Sequence, residues 1–352
     1  MRPAECGPRG LRLAPPSVAV CLALAGASVP AARAAEPACL RGVNLSGPEF
    51  GALPGRHGTD YAYPSARTIA RFGALGLTAV RLPVRWERLQ PRTAEPLDAA
   101  ELLRLDAAVV AAKLAGMRTV IDLHNFAYHG RDRIGTGAAT RAAFADVWRR
   151  LAAHFRSEPA VAFGLMNEPY DIPAAEWLPA ANAAVAAIRD VGARQLVLVP
   201  GTLWTGVHSW EADTPLGNNA RTMPGLVDPG ENAAYDVHQY LDADFSGGSG
   251  ACPRGADALA AVERLTGWLL RNRARAYLGE VGASAQAGCP EHLAAILAHV
   301  NAHPAQWVGW AAWGAGDWWP PSYHFRIEPG AGPLSAVIEA AARAAPRCGG
   351  RP

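Results

Sequence analysis

Apolar positions along the chain fall into two alternating patterns. Short runs of aliphatic and β-branched residues cover 40–45, 77–83, 117–123, 161–167, 195–200, 234–239, 275–281 and 307–313. Between them, Ala, Leu and Val recur at i, i+3 and i+4 over 65–75, 99–115, 138–155, 175–191, 256–272, 290–302 and 333–344. The first pattern predicts buried strands and the second predicts helices with one apolar stripe. The interval 201–233 breaks the alternation. It is rich in Gly, Pro, Asn and Trp and is expected to be a long loop with at most a short helix. Eight strands alternating with helices predict an α/β fold with a parallel sheet, and eight strands are what a single (β/α)8 TIM barrel closes with. A doubly wound open sheet is the alternative. It would carry a Gly-rich turn after its first strand, whereas here that strand runs into Asn44-Leu45-Ser46-Gly47-Pro48.

The first 34 residues follow a different logic. Arg2, Arg9 and Arg12 precede an apolar run from Val18 to Val29, and Ala32-Arg33-Ala34 follows as a small-x-small site. This is the layout of a secretory signal peptide, with a run too short for a transmembrane helix. The expected organisation is a signal peptide over 1–34 and one catalytic domain over 35–352, exported to the periplasm or the outside and without a membrane anchor. Half of all residues are hydrophobic and the formal net charge is +2. Loss of four arginines and one glutamate with residues 1–34 takes that charge to −1. Such a balance argues for a large core and against nucleic acid as a partner. Cys39, Cys252, Cys289 and Cys348 remain. An even number in an exported protein suggests two disulfides, with Cys252–Cys289 and Cys39–Cys348 the expected pairs. The alternative, a zinc site, lacks any C-x2-4-C spacing.

Polar residues concentrate where the strands end. Arg81 lies near the end of the second, His124 and Asn125 at the third, Asn167 and Glu168 at the fourth. His238 and Tyr240 lie at the sixth, Glu280 at the seventh and Trp313 at the eighth. In a barrel these ends share one face, where active sites are built. Glu168 and Glu280 would then meet across the barrel mouth. Two carboxyl groups flanking one bond are what glycoside hydrolysis requires, one as proton donor and the other ionised. Asn167 is placed to reach a sugar hydroxyl, and Arg81 and Tyr240 to hold Glu280 ionised and oriented. Trp204, Trp210, Trp313, Trp318 and Trp319 fall in the loops after strands five and eight, where indoles can stack on the C–H faces of sugar rings. Trp204 and Trp318 are the preferred platforms. Trp86, Trp148, Trp177, Trp268 and Trp307 are expected in the core. His124, His129 and His238 lack a local metal-ligand spacing, so neither metal nor cofactor is expected.

These segments together resemble glycoside hydrolase family 5, in its subgroup of secreted endo-β-1,4-glucanases. The resemblance spans about 38–345. It rests on Arg41-Gly42-Val43-Asn44-Leu45-Ser46-Gly47, Val80-Arg81-Leu82-Pro83, His124-Asn125, Asn167-Glu168-Pro169, Trp204-Thr205-Gly206, Val237-His238-Gln239-Tyr240, Gly279-Glu280 and Gly309-Trp310 with Trp313. It implies a retaining mechanism with Glu168 as acid/base and Glu280 as nucleophile, their carboxyls about 5 Å apart. It also implies Arg81, His124, Asn167, His238, Tyr240 and Trp313 as the remaining active-site positions, a monomer, and a β-1,4-linked glucan as substrate. No carbohydrate-binding module is evident, which favours soluble or amorphous glucan. The segments 212–233 and 246–252 depart from the family pattern. A β-mannanase, or another β-glycanase on the same fold, is the nearest alternative. A non-catalytic glycan-binding barrel would be expected to have lost one of the two carboxylates.

Overall fold

A computed structural model describes residues 39–345. The predicted signal peptide, and Cys348 with its predicted bond to Cys39, lie outside these residues. Eight parallel strands close a barrel: β1 (Leu40–Leu45), β2 (Ala79–Val84), β3 (Arg118–Leu123), β4 (Val161–Gly164), β5 (Val197–Pro200), β6 (Ala233–Gln239), β7 (Ala276–Gly282) and β8 (Trp307–Ala315). Each pairs with its sequence neighbours, and β8 pairs with β1 through Arg41 opposite Trp310. Seven long helices lie between or after the strands: α1 (Ala66–Ala74), α2 (Ala99–Leu114), α3 (Arg141–Phe155), α4 (Ala174–Asp190), α5 (Gly255–Asn272), α6 (Cys289–Ala302) and α7 (Gly332–Ala344). All eight predicted strands and seven predicted helices are present. The barrel is the fold the sequence predicted.

Element ends are set by local chemistry. Ser65, Asp98 and Thr140 accept hydrogen bonds from the backbone N–H three residues on, and so cap α1, α2 and α3. These caps satisfy N–H groups that have no partner within the helix. The cap at Thr140 starts α3 later than the apolar periodicity suggests. The 201–233 interval holds one short helix, Asn219–Thr222, and turns at Leu203–Thr205 and Met223–Gly225. A two-stranded hairpin, Tyr128–His129 with Asp132–Arg133, is an addition that the sequence did not signal.

The core has two parts. A cluster including Leu40, Ala79, Val120, Ala162, Leu198 and Ala234 draws on the barrel strands and fills the interior toward their starts. The larger cluster packs the outer face of the sheet against the helices and takes in Trp86, Trp148, Trp177, Trp268 and Trp307, as expected. Trp210 joins it: the indole is buried against Tyr235 and Trp268, which removes it from the predicted sugar-facing set.

With apolar side chains filling the lower barrel, polar groups are confined to the upper end. Two features there position the chemistry. The β6–β7 register shifts so that Val237 faces Leu278 and His238 faces Glu280, leaving Gly279 as the extra residue. A Cβ on Gly279 would lie 2.1 Å from the Asp236 carboxylate, so only glycine fits. Arg88 donates to the carbonyls of Pro48, Phe50, Ala52 and Pro54, tying down the loop after β1. The expected Cys252–Cys289 disulfide is formed, joining the loop after β6 to the first residue of α6. It closes a separation of 37 residues. Replacing both cysteines with alanine is expected to lower the unfolding free energy by about 2–4 kcal/mol. Urea denaturation measures this, and an unchanged midpoint would contradict it.

Candidate active site

Arg81 sits at the centre of the upper barrel with no solvent exposure. Its Nη1 donates to Asn44 Oδ1 and to Glu280 Oε1, both at 2.8 Å. Its Nη2 donates to Asn167 Oδ1 at 2.7 Å and pairs with Asp122 Oδ2 at 3.1 Å. Burial alone would lower its pKa, but Asp122, Glu280 and Asp236 around it raise it above the ordinary value. A permanent cation is thus held by groups on β1, β3 and β7 and just after β4.

Glu280 is buried at 4% exposure and receives a donor on each oxygen, Arg81 on Oε1 and the Tyr240 hydroxyl on Oε2 at 2.7 Å. The two donors fix the orientation of the carboxyl group. Glu168 follows β4 in a different environment. Its φ is +43°, a left-handed conformation costly for a residue with a Cβ and typical of functional positions. Among the described residues its one side-chain hydrogen-bond partner is the ring of His238, with Oε1 2.7 Å from Nδ1. Burial pushes its carboxyl up to about 7, although His124 and Arg81 pull the other way. The two glutamates therefore differ in surroundings as an acid and a nucleophile should. Oxygens of Glu168 and Glu280 and a ring nitrogen of His238 lie within 4.8 Å of one another. That spacing would also suit a cation, but the Arg81 guanidinium 2.8 Å from Glu280 opposes one electrostatically.

The histidines have opposite characters. Burial drives the His238 pKa down to about 3, despite the nearby Glu280, so its imidazole is neutral around pH 7. Burial also works against charge on His124, but the 2.7 Å contact with Asp122 outweighs it and raises the pKa. The His124 ring lies nearly parallel to Trp313, with centroids 6.0 Å apart. Trp313 donates its Nε1–H to the Tyr323 hydroxyl.

Of the predicted set, Arg81, His124, Asn167, Glu168, His238, Tyr240, Glu280 and Trp313 converge on this face. Arg81 holds the Asn167 carbonyl, and no protein acceptor among the described residues meets its Nδ2. Asn125 is committed elsewhere. Its Oδ1 accepts from Trp86 N and its Nδ2 donates to Glu87 Oε2, so both amide atoms fasten the loop after β3 to the one after β2. Trp204 is half-exposed on a turn in which Leu203, Trp204 and Thr205 all have positive φ, and it stacks on Tyr170. A cleft of about 470 Å³ opens here, lined by Glu168, Trp204, His208, His238, Tyr240 and Phe245 among others. Thr214 and Ser246 also line it, so both segments that depart from the family pattern border it. Trp318 lies on the loop after β8, parallel to Phe50 with centroids 5.4 Å apart.

Sequence reasoning missed Asp122, Asp236, Asn44, Glu49 and Tyr323. The signal for the two aspartates was present: each is a lone acid inside an apolar strand, in Val120-Ile121-Asp122-Leu123 and Ala234-Tyr235-Asp236-Val237. Glu49, in the loop after β1, accepts from Gly47 N at 2.7 Å, and burial pushes its carboxyl to about 7 against the pull of His124.

Comparison with known proteins agrees with this geometry. Residues 34–316 match the family model described as cellulase, glycosyl hydrolase family 5. Endoglucanase gh5-1 of Neurospora crassa is 33% identical over 296 residues, covering 83% of this chain and 73% of the relative. The endo-beta-1,4-glucanase Xac0029 of Xanthomonas axonopodis pv. citri superposes with a TM-score of 0.83 at 41% identity, over 86% of this chain and 98% of the other. XacCel5A, solved in complex with cellopentaose, gives 0.84 at 40% identity over 86% and 99%.

The Asp122–His124 contact yields a direct test. Asp122→Asn removes the charge that raises the His124 pKa, which should therefore fall. Histidine ring NMR across pH follows it, and an unmoved His124 midpoint would contradict the electrostatic account.

Proposed function

The chain belongs to glycosyl hydrolase family 5, and from that membership we propose that it is an exported, retaining endo-β-1,4-glucanase. Its substrate is soluble or amorphous β-1,4-glucan. The observation that carries the mechanism is the facing pair of carboxyl groups, with oxygens of Glu168 and Glu280 inside 4.8 Å. Retaining enzymes keep these groups about 5–5.5 Å apart, and inverting ones leave a wider gap for water. The Cys252–Cys289 bond supports export, because disulfides persist in oxidising compartments. Among the described residues no helix is long and apolar enough to cross a membrane.

Glu280, oriented by Arg81 and Tyr240, attacks the anomeric carbon. Glu168 gives its proton to the leaving glycosidic oxygen, and a covalent glycosyl-enzyme forms. Glu168, now ionised, takes a proton from water as that water attacks the anomeric carbon and releases Glu280. Two inversions leave the configuration unchanged. The free Asn167 amide is directed to a hydroxyl of the reacting sugar. Trp204 and Trp318 supply stacking surfaces for the glucan, and the protein acts as a monomer.

Glu280→Gln is expected to abolish release of reducing ends from carboxymethylcellulose and barley β-glucan while leaving the circular dichroism spectrum intact. Near-wild-type turnover by the folded variant would remove Glu280 from the role. Glu168→Ala should slow glucan hydrolysis by ~100-fold or more, yet slow formation of the glycosyl-enzyme from an aryl cellobioside far less, since a good leaving group needs no proton. Equal losses on both substrates would count against the acid role. Activity confined to mannan would keep the pair and change the substrate.

The acid must be protonated, so kcat/KM on glucan should fall as pH rises through about 7, where burial places the Glu168 carboxyl. A pH–rate profile between 4 and 10 checks this. An alkaline limb that begins below pH 5.5 would contradict it.

A further inference from the structure

One buried acid has no part in that reaction. Asp236 lies on β6 at 1% exposure, two residues before His238, and neither carboxyl oxygen meets a hydrogen-bond donor among the described residues. Arg81 is its nearest cation, 3.9 Å away, but both terminal nitrogens of that guanidinium already point at Asn44, Glu280, Asn167 and Asp122. The Nε2 of His238 is also 3.9 Å away, too far for a hydrogen bond. The carboxyl packs against the backbone of Gly279, which blocks movement in that direction. A charge buried without a donor is expensive, and two carboxylates, Asp122 and Glu280, already share the single fixed cation.

On the proposed reading of the site, we propose that Asp236 carries a proton during turnover and acts as a positioning residue. As a neutral acid it leaves Arg81 to Glu280 and Asp122. When it ionises, it draws the guanidinium away from Glu280 and activity is lost. The groups that face it are Arg81 from β2, Asp122 from β3, Glu168 after β4, His238 on its own strand, and Tyr277 and Glu280 from β7. Burial pushes its carboxyl up to about 8; Arg81 opposes this, and Asp122, Glu280 and Glu168 add to it. Its ionisation thus falls above that of Glu168, and the two can be separated.

The experiment uses the Glu168→Ala enzyme with 2,4-dinitrophenyl cellobioside, whose first step needs no acid. Its kcat/KM should fall about tenfold per pH unit beyond pH 8, and adding D236N should flatten that limb. In the otherwise wild-type enzyme, D236A should reduce kcat on glucan at pH 6 by more than tenfold, with D236N, a neutral group of the same shape, recovering most of it. A limb that D236N leaves unchanged, or no limb in either protein, overturns the proposal without touching the catalytic pair. Failure of E168A to turn over the aryl substrate at all counts against the mechanism instead. Carboxyl 13C NMR of Asp-labelled wild-type protein gives a readout that needs no variant: one aspartate should remain protonated at pH 6.5, and finding every aspartate ionised by pH 5 overturns the proposal.

Discussion

The upper barrel depends on one buried guanidinium. Arg81 joins β2 to Asn44 on β1, Asp122 on β3, Asn167 after β4 and Glu280 on β7. An isolated charge in this position would cost several kcal/mol, and the carboxylates around it would cost as much without it. Each member therefore fixes the others, which makes the site a unit. Glu280 owes its orientation to this cation, and Asn167 owes it the direction of its amide. His124 is connected at one remove, through Asp122. The lower, apolar half of the barrel excludes water from beneath the cluster, which strengthens each of these interactions.

The two facing carboxyls are differentiated by what surrounds them. Glu280 has a donor on each oxygen, whereas Glu168 stands on a left-handed residue beside a neutral imidazole. The local backbone contributes to both. The register shift at Gly279 brings Glu280 opposite His238, and the space left by the missing side chain is filled by Asp236. The turn at Leu203–Thr205 is held by Thr205, which accepts from Gly201 N and donates to the Asp236 carbonyl, and by a bond from Trp204 N to the Pro169 carbonyl. That last bond couples the exposed indole to the residue after Glu168.

The barrel was legible in the sequence because a strand covered on both faces reads as a short apolar run and a crossover helix as a 3.6-residue stripe. The polar face was legible because polar residues cluster where those runs end. Other features were hidden for physical reasons. Asp122 and Asp236 stood out as lone acids in apolar runs, but that they point inward follows from the pleat and cannot be read from composition. Asn125 looked like a ligand group because it adjoins His124, yet one residue further along the strand end its amide points toward Trp86 and Glu87. Trp210 sits in a Gly- and Pro-rich stretch that reads as loop, but that stretch folds back over α5 and buries the indole against Trp268. The Tyr128–Arg133 hairpin is too short to leave a periodicity.

Covalent trapping tests the central claim most directly. A 2-deoxy-2-fluoro cellobioside with a good leaving group slows both steps but slows release of the glycosyl-enzyme most. Peptide mass mapping of the inactivated protein should find one fluoro-cellobiosyl group, esterified to Glu280. A label on any other residue, or product of inverted anomeric configuration with no label at all, would contradict the account.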